Sequence, residues 1–334
     1  SVAASSDCEP RLIPHRSSRV NEPTSPINTL PLRQGPNGGG KASLLLLLQI
    51  EISWSRKMKI SELGLPQYDY AWKLSRSRWA WEFLRRNPEF LVDAARHGPD
   101  ELSIREACHG IKIIRPRIDQ CDAERWGLAF FPAPSLNGFD ANVFWSAGLY
   151  PRQVQVQVGP CAAHEVCDIY EKTTSVCRIF LLTDTSGREL LLLKGNGCVV
   201  QVRCTGMSLL AMEPVKMGFL IEGGVSLEQR YLILKEAHRI YGDGSVQEQV
   251  NWSRGALVLR NALVAFDCHA TGLSLRDTAA VIYGKGRADE AWASPSRSMK
   301  DEMRRAIAHR RSVLNAALSI TSSICWLRGA GHLA

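Results

Sequence analysis

Three rhythms of hydrophobic and polar positions divide this chain, and each predicts a different kind of element. From residue 60 to about 97 the rhythm is helical. Trp79, Ala80, Phe83 and Leu84 recur at helical spacing until Asn87-Pro88 stops the run, and a second short helix is predicted from Pro88 through Ala95. Between about 103 and 222 the runs shorten into strands. IKIIR, RQVQVQVG, VCRIFLLTD, RELLLLKG, CVVQVRC and VKMGFLI are rich in Val and Ile and are punctuated by turns. Thr185-Ser186-Gly187 and Gly195-Asn196-Gly197 fall where hairpin turns need positive φ, which predicts an antiparallel meander from 176 to 204 and a further strand at 215 to 221. RQVQVQVG alternates strictly, so one of its faces is expected to meet water.

Helical rhythm returns at Ser226. SLEQRYLILKEAHRIYG opens on a Ser226/Gln229 capping box and closes on Gly242. An amphipathic helix follows from Arg254 to Gly272, then a shorter one in SLRDTAAVIYG, capped by Ser274 and Asp277 and stopped by Gly284. GKGRADEAWAS is read as a connecting loop pinned by Trp292, and a last long helix runs from near Ser294-Pro295 to about Leu318. The expected class is α+β: a helical module over 58–100, an antiparallel β-rich middle over 101–224, and a helix-turn-helix-like helical domain over 225–334. Residues 1–57 are different. Six prolines, Gly38-Gly39-Gly40 and many serines cannot bury enough apolar surface to offset ordering entropy, so this stretch is expected to be disordered or upstream of a product starting at Met58.

The last helix carries the most suggestive chemistry. On a wheel of residues 297–318, Met299, Met303, Ala306, Ile307, Val313, Leu314, Ala317 and Leu318 share one side, and Arg297, Lys300, Arg304, Arg305 and Arg311 share the other. Arg310 alone strays into the apolar arc, where its stem can snorkel out. Such a helix fits the major groove of duplex DNA, where arginine bridges guanine acceptors or clamps phosphates. Arg276 and Arg287 are then expected on the flanking backbone. A solvated surface gives the same pattern, with Asp301 and Glu302 pairing with these arginines at i,i+3 or i,i+4. So does a protein-interaction face for an acidic partner.

Bulk properties narrow the choice of class. The formal net charge of +8 favours acidic partners such as nucleic acid. Ten scattered cysteines in 334 residues suit a reducing compartment rather than a disulfide scaffold. The longest apolar run, at 42–50, is far short of the roughly 20 residues that span a bilayer, and a cytoplasmic location without a membrane partner is expected. Cys161, His164, Cys167 and Cys177 are suitable zinc ligands, but their spacing fits no zinc module. The glycine-rich stretch ending at Lys41 lacks the phosphate-loop register, and Glu165, Asp168 and Glu171 near His164 read as solvated carboxylates. No catalytic elbow or His-Glu-x-x-His pattern occurs. Neither an enzyme, a cofactor nor a small-molecule substrate is expected; duplex DNA is the expected partner, with self-association left open.

Two stretches resemble known families. Arg276, Asp277, Ala279, Ile282, Tyr283, Gly284, Trp292, Arg304 and Arg305 match the C-terminal pattern of the RovC-like DNA-binding proteins. Trp79, Ala80, Trp81, Glu82, Phe83, Leu84, Arg85, Arg86, Asn87 and Pro88 match, without a gap, the core of the transcriptional regulator-like module that often precedes that domain. The resemblance implies a bacterial transcription factor. It departs at the end, where NAALSITSSICWLRGAGHLA replaces the usual Gly-Gly-Tyr-Arg segment. Trp79 and Phe83, four residues apart, are read as the core of the small module rather than a base-stacking platform. Arg85 and Arg86 are left to phosphate contacts or a protein-docking face.

Overall fold

A computed structural model describes residues 64–98, 101–107, 110–146, 153–162, 177–184, 186–220, 227–228, 231, 234–235 and 250–319, with side chains of the last helix described as far as Ala308. The expectations for residues 1–57, for most of the helix over 226–242 and for the final segment lie outside these residues. None of the helices among the described residues is long and apolar enough to cross a membrane.

The helical module begins with a 3-10 helix, Leu65–Lys73, followed by α1 (Arg76–Leu84) and α2 (Pro88–Ala94). Asn87 separates the last two for a local reason. Its side-chain oxygen accepts the Glu89 amide at 3.0 Å, and Pro88 supplies a preset φ at the first helical position. Every α1 residue from Arg78 to Leu84 is buried, so this is a core helix rather than a surface one. Trp79 and Phe83 are 3% and 2% exposed, in keeping with their expected core role. Trp81 is fully buried; its ring meets Phe90 edge-on at 5.6 Å and its indole N–H donates to the Leu136 carbonyl at 3.0 Å.

A seven-stranded sheet forms the middle: β1 (Leu102–Glu106), β2 (Lys112–Pro116), β3 (Val154–Pro160), β4 (Arg178–Thr183), β5 (Glu189–Gly195), β6 (Cys198–Gly206) and β7 (Val215–Phe219), in spatial order β1-β2-β4-β5-β6-β3-β7. The meander β4-β5-β6 is antiparallel as expected, and Asn196 and Gly197 take φ of 48° and 73° in its second turn. β3 buries Val154, Val156 and Val158 while Gln157 is exposed, the predicted alternation. The sheet as a whole is not antiparallel, however. β2 pairs with β4 and β3 with β6 in parallel, which makes it mixed. Parallel neighbours need long connections rather than tight turns, and turn chemistry fixes only the order within the β4-β5-β6 meander.

Every residue of β5 is buried, because both faces of the sheet are covered at its centre. Ile179, Leu181, Leu191, Leu193, Val200 and Val202 cluster on one face. On the other, Phe180, Leu182, Leu190, Leu192 and Val199 pack with Ile114, Phe130 and Phe144. The last two belong to an irregular segment that follows the short helix α3 (Cys121–Glu124) and runs through residues 125–146. Its side chains point both ways: Phe130 and Phe144 toward the sheet, Trp126, Leu128, Phe131, Val143 and Trp145 into the helical core.

A buried segment without regular structure leaves its peptide groups short of partners, and side chains from both neighbouring layers supply them. Gln201 on β6 brackets Trp145, its amide donating to the carbonyl at 2.8 Å and its oxygen accepting the N–H at 2.9 Å. The Lys194 ammonium on β5 donates to the carbonyls of Asp140 at 2.7 Å and Ala141 at 3.0 Å. From α1, the Arg78 guanidinium donates to the Val143 carbonyl at 3.1 Å.

The C-terminal helices are α4 (Arg254–Ala270), α5 (Leu275–Tyr283), α6 (Lys285–Ala293) and α7 (Ser298–Ser319). Ser253 caps α4 by accepting the Ala256 amide, and Ser274 caps α5 by accepting that of Asp277. The stretch GKGRADEAWAS corrects the sequence reading. Lys285–Ala293 is a helix, and Gly284 alone, at φ 87°, divides it from α5. Ala288 is buried and Trp292 half-buried, a one-sided contact that glycine and charge around it obscured. Leu263, Val264, Ala279, Ile282, Met299 and Met303 join Trp79, Trp81, Phe83 and Phe90 in one hydrophobic cluster.

Candidate nucleic-acid interface

The arginines of α7 are displayed by a helix whose opposite side is anchored. Met299 and Met303 are buried, Ala306 and Ile307 are half-buried, and Arg304 and Arg305 are exposed. Arg297, immediately before the helix, is exposed as well. The predicted two-sidedness is therefore present over the described part of the helix. Lys300 is half-buried, with its ammonium 5.5 Å from the centre of the Trp292 ring. Arg311 lies on the same stripe of the helical backbone as Lys300 and Arg304, its side chain outside the described residues.

Carboxylates of the same chain reach some of these cations. Arg304 pairs with Asp301 at 3.0 Å, one of the i,i+3 contacts the sequence allowed, and Arg305 donates to the Asp301 carbonyl at 3.2 Å. Arg276 on α5 pairs with Asp289 on α6 at 2.8 Å, and Arg287 lies over the Tyr283 ring at 5.2 Å. These ion pairs are open to water: the side chains of Arg304 and Arg276 are 62% and 54% exposed. Exposed pairs of this kind contribute about 0–1 kcal/mol, little enough for a phosphate to displace.

Glu302, the other acidic residue weighed as a partner for the arginines, is held elsewhere. Tyr283 donates its hydroxyl to Glu302 Oε1 at 2.5 Å, and the Asn261 amide donates to the same hydroxyl at 3.4 Å. The contact ties α4, α5 and α7 together. Burial first, then the hydrogen bond and charge of Glu302, pushes the Tyr283 phenol up to about 12.

Arg85 and Arg86 are not surface groups, which corrects the reading that left them to phosphates or a docking partner. Arg85 donates to Glu82 Oε2 at 2.7 Å and Arg86 to the same oxygen at 2.6 Å. Arg86 also forms a two-point pair with Asp267 on α4, at 2.7 and 3.0 Å, and Tyr68 donates to that carboxylate at 2.8 Å. The network is a buried joint between the N-terminal module and the C-terminal helices. Burial alone would push the Arg86 guanidinium down, but Asp267 and Glu82 beside it hold it well above its ordinary value. Sequence periodicity carries no information about a partner as distant as Asp267.

Of the four candidate zinc ligands, His164 and Cys167 lie outside the described residues; Cys161 is half-buried and Cys177 buried. Burial raises the Cys177 thiol to about 11, which suits a packed thiol rather than a reactive one. No group of three metal-ligating side chains occurs among the described residues.

Residues 65–131 match the family described as the proteobacterial transcriptional regulator-like domain. The match takes in the 3-10 helix, α1, α2, the β1–β2 pair and α3, and it ends inside the irregular segment. No curated protein matches the chain. Residues 65–131 are thus similar to a transcriptional regulator-like domain, and Arg86 and Asp267 join them to a bundle that displays arginine on its last helix.

Proposed function

We propose that this protein is a bacterial, cytoplasmic, non-enzymatic transcriptional regulator that binds duplex DNA through the outward face of α7. One observation carries the reading: Met299 and Met303 are buried while Arg297, Arg304 and Arg305 on the same turns face solvent. A helix docked by one side and cationic on the other suits the major groove, where guanidinium groups bridge base acceptors or clamp phosphates. Arg276, Arg287, Lys300 and Arg311 extend the positive surface in this reading. The regulator-like match over residues 65–131 and the likeness of Arg276 through Arg305 to the RovC-like pattern support it.

The test is a binding titration with genomic and random duplexes at several salt concentrations. Arg304→Ala with Arg305→Ala is expected to weaken binding and to reduce the salt slope by up to about two, near 0.9 for each phosphate left without its arginine. Melting temperature should stay near that of the parent, since both side chains are exposed. Unchanged affinity and slope in that variant would end the assignment. Binding to acidic proteins without binding to duplexes would replace it with the protein-interaction reading.

A further inference from the structure

The β1–β2 pair ends the sheet, and one of its faces carries three arginines that the proposed function does not use. In its register Ser103 stands opposite Arg115 and Arg105 opposite Ile113. Directly opposed residues of an antiparallel pair share a face, and alternate residues along a strand return to it, so Arg105, Ile113 and Arg115 lie together. Arg117 continues the row. Its amide donates to the Glu101 carbonyl at 2.7 Å, which carries the pairing one step beyond β2. Together with Ser103 and Pro116 these side chains line one shallow groove, and no carboxylate lines it among the described residues.

Arg105, Arg115 and Arg117 are all exposed, and among the described residues none has an ion-pair partner. Among the described residues, the two acidic side chains of this strand pair are placed or engaged elsewhere. Glu106 stands opposite Lys112 on the other face of the pair. Glu101 faces the row at the Arg117 end, but its carboxylate already accepts from His97 at 2.7 Å and Gln120 at 2.9 Å. Like charges crowded on one face of a strand pair destabilise it. Arg115 and Arg117 sit about 7 Å apart along the strand, two residues of rise. An anionic partner with repeated charges relieves that repulsion, and guanidinium groups favour phosphate by forming two parallel hydrogen bonds.

We infer that the arginine row of the β1–β2 ribbon is a second nucleic-acid contact, gripping the sugar-phosphate backbone of duplex DNA through Arg105, Arg115 and Arg117. The pair lies at one end of the strand order, where β1 has no second strand beside it among the described residues, and Arg115 and Arg117 lie beyond the stretch of β2 that pairs with β4. It meets phosphates rather than base edges, so it adds affinity and register rather than sequence preference. The row is separate from the α7 arginines; only the choice of nucleic acid as the polyanion rests on the regulator reading.

The experiment compares full-length variants on a fluorescein-labelled random-sequence duplex across a salt series. Single changes Arg105→Gln, Arg115→Gln and Arg117→Gln should each lower the salt slope by about one, and the triple change by two to three. The loss should be equal for duplexes of different sequence, with the melting temperature held. Unchanged slope and affinity in the well-folded singles and triple overturn the ribbon. If Arg304→Ala/Arg305→Ala then still loses binding, the helix reading stands alone. If only the ribbon variants lose binding, the ribbon stands and the helix reading falls. Competition by polyglutamate as effective as by unlabelled duplex at equal charge overturns nucleic acid as the partner.

Discussion

Arg86 and Asp267 meet in a two-point ion pair although 181 residues separate them along the chain. Both side chains are buried, at 8% and 5% exposure, and the pair joins the regulator-like module to α4. A buried ion pair is weak evidence for net stability, but losing one half of it is expensive. Asp267→Ala is therefore expected to destabilise the fold by about 3–5 kcal/mol, because two N–H groups of the buried Arg86 and the Tyr68 hydroxyl lose their acceptor, leaving Glu82 to face both Arg85 and Arg86. Arg86→Met combined with Asp267→Leu should cost less than that single change. Urea denaturation of the three proteins measures both, and equal stabilities of parent and Asp267→Ala would show that the joint is not coupled to folding.

The same joint sets an acid limit. Burial pushes the Glu82 carboxyl up, but Arg86 and then Arg85 beside it outweigh burial and hold it below its ordinary value. With the folded value depressed, the contribution of Glu82 is fully present above the unfolded pKa of about 4.3 and is lost as pH falls through the lower folded value. Glu82→Gln should be less stable than the parent at neutral pH, with the gap closing toward the acid end. Denaturation midpoints across an acid series test this; a constant gap would contradict it.

Lys194 gives a dependence of the same sign in a higher pH window. Burial first, and then the positive charges of Arg78 and Arg178, push its ammonium down to about 7 despite Asp140. Between that value and the ordinary 10.5 the unfolded chain holds a proton that the folded chain lacks. By linkage, stability from this group rises with pH over that window, with a slope of at most about 1.4 kcal/mol per pH unit. Lys194→Met is expected to flatten the curve there. Stability profiles of equal slope for the two proteins from neutral to alkaline pH would refute the shift.

Two glycines with positive φ should respond differently to the same change. Gly206, at φ 97°, has the Val158 carbonyl and the Gln157 side chain pressed where a Cβ would stand, at the edge of the β3–β6 pairing. Gly272, at φ 84° after α4, has open space. Gly272→Ala should cost only the left-handed backbone penalty of about 1–2 kcal/mol, and Gly206→Ala clearly more. Thermal unfolding of both variants checks the order.

Much of the architecture was legible in local pattern. Asn87-Pro88, Ser274 with Asp277, and Asn196-Gly197 act within a few residues, so the breaks and turns they mark are where the structure has them. The apolar side of α7 was readable for the same reason, since Met299 and Met303 are one helical turn apart. Besides the antiparallel sheet, other readings failed or were missed where the deciding partner was remote or the local signal was mixed. Lys285–Ala293 looked like a loop because glycine and charge dilute its single buried alanine. Arg85 and Arg86 looked like surface cations because Asp267 is invisible from their neighbourhood. The alternation in Ile113, Arg115 and Arg117 was present in the sequence, but it joins Arg105 in one row only through the β1–β2 register.

By itself the sequence determined the kinds of element and most of their ends, because capping, turn geometry and apolar periodicity are settled within a turn of helix or a few strand residues. It also determined that α7 would have one cationic side. Only the tertiary structure decided the strand order with its two parallel pairings, and which arginines are buried in the joint at Asp267 and which remain exposed on α7 and on the ribbon. The physical reason is range. A guanidinium is equally suited to a buried carboxylate and to water, and which of these it meets depends on side chains brought beside it from distant parts of the chain.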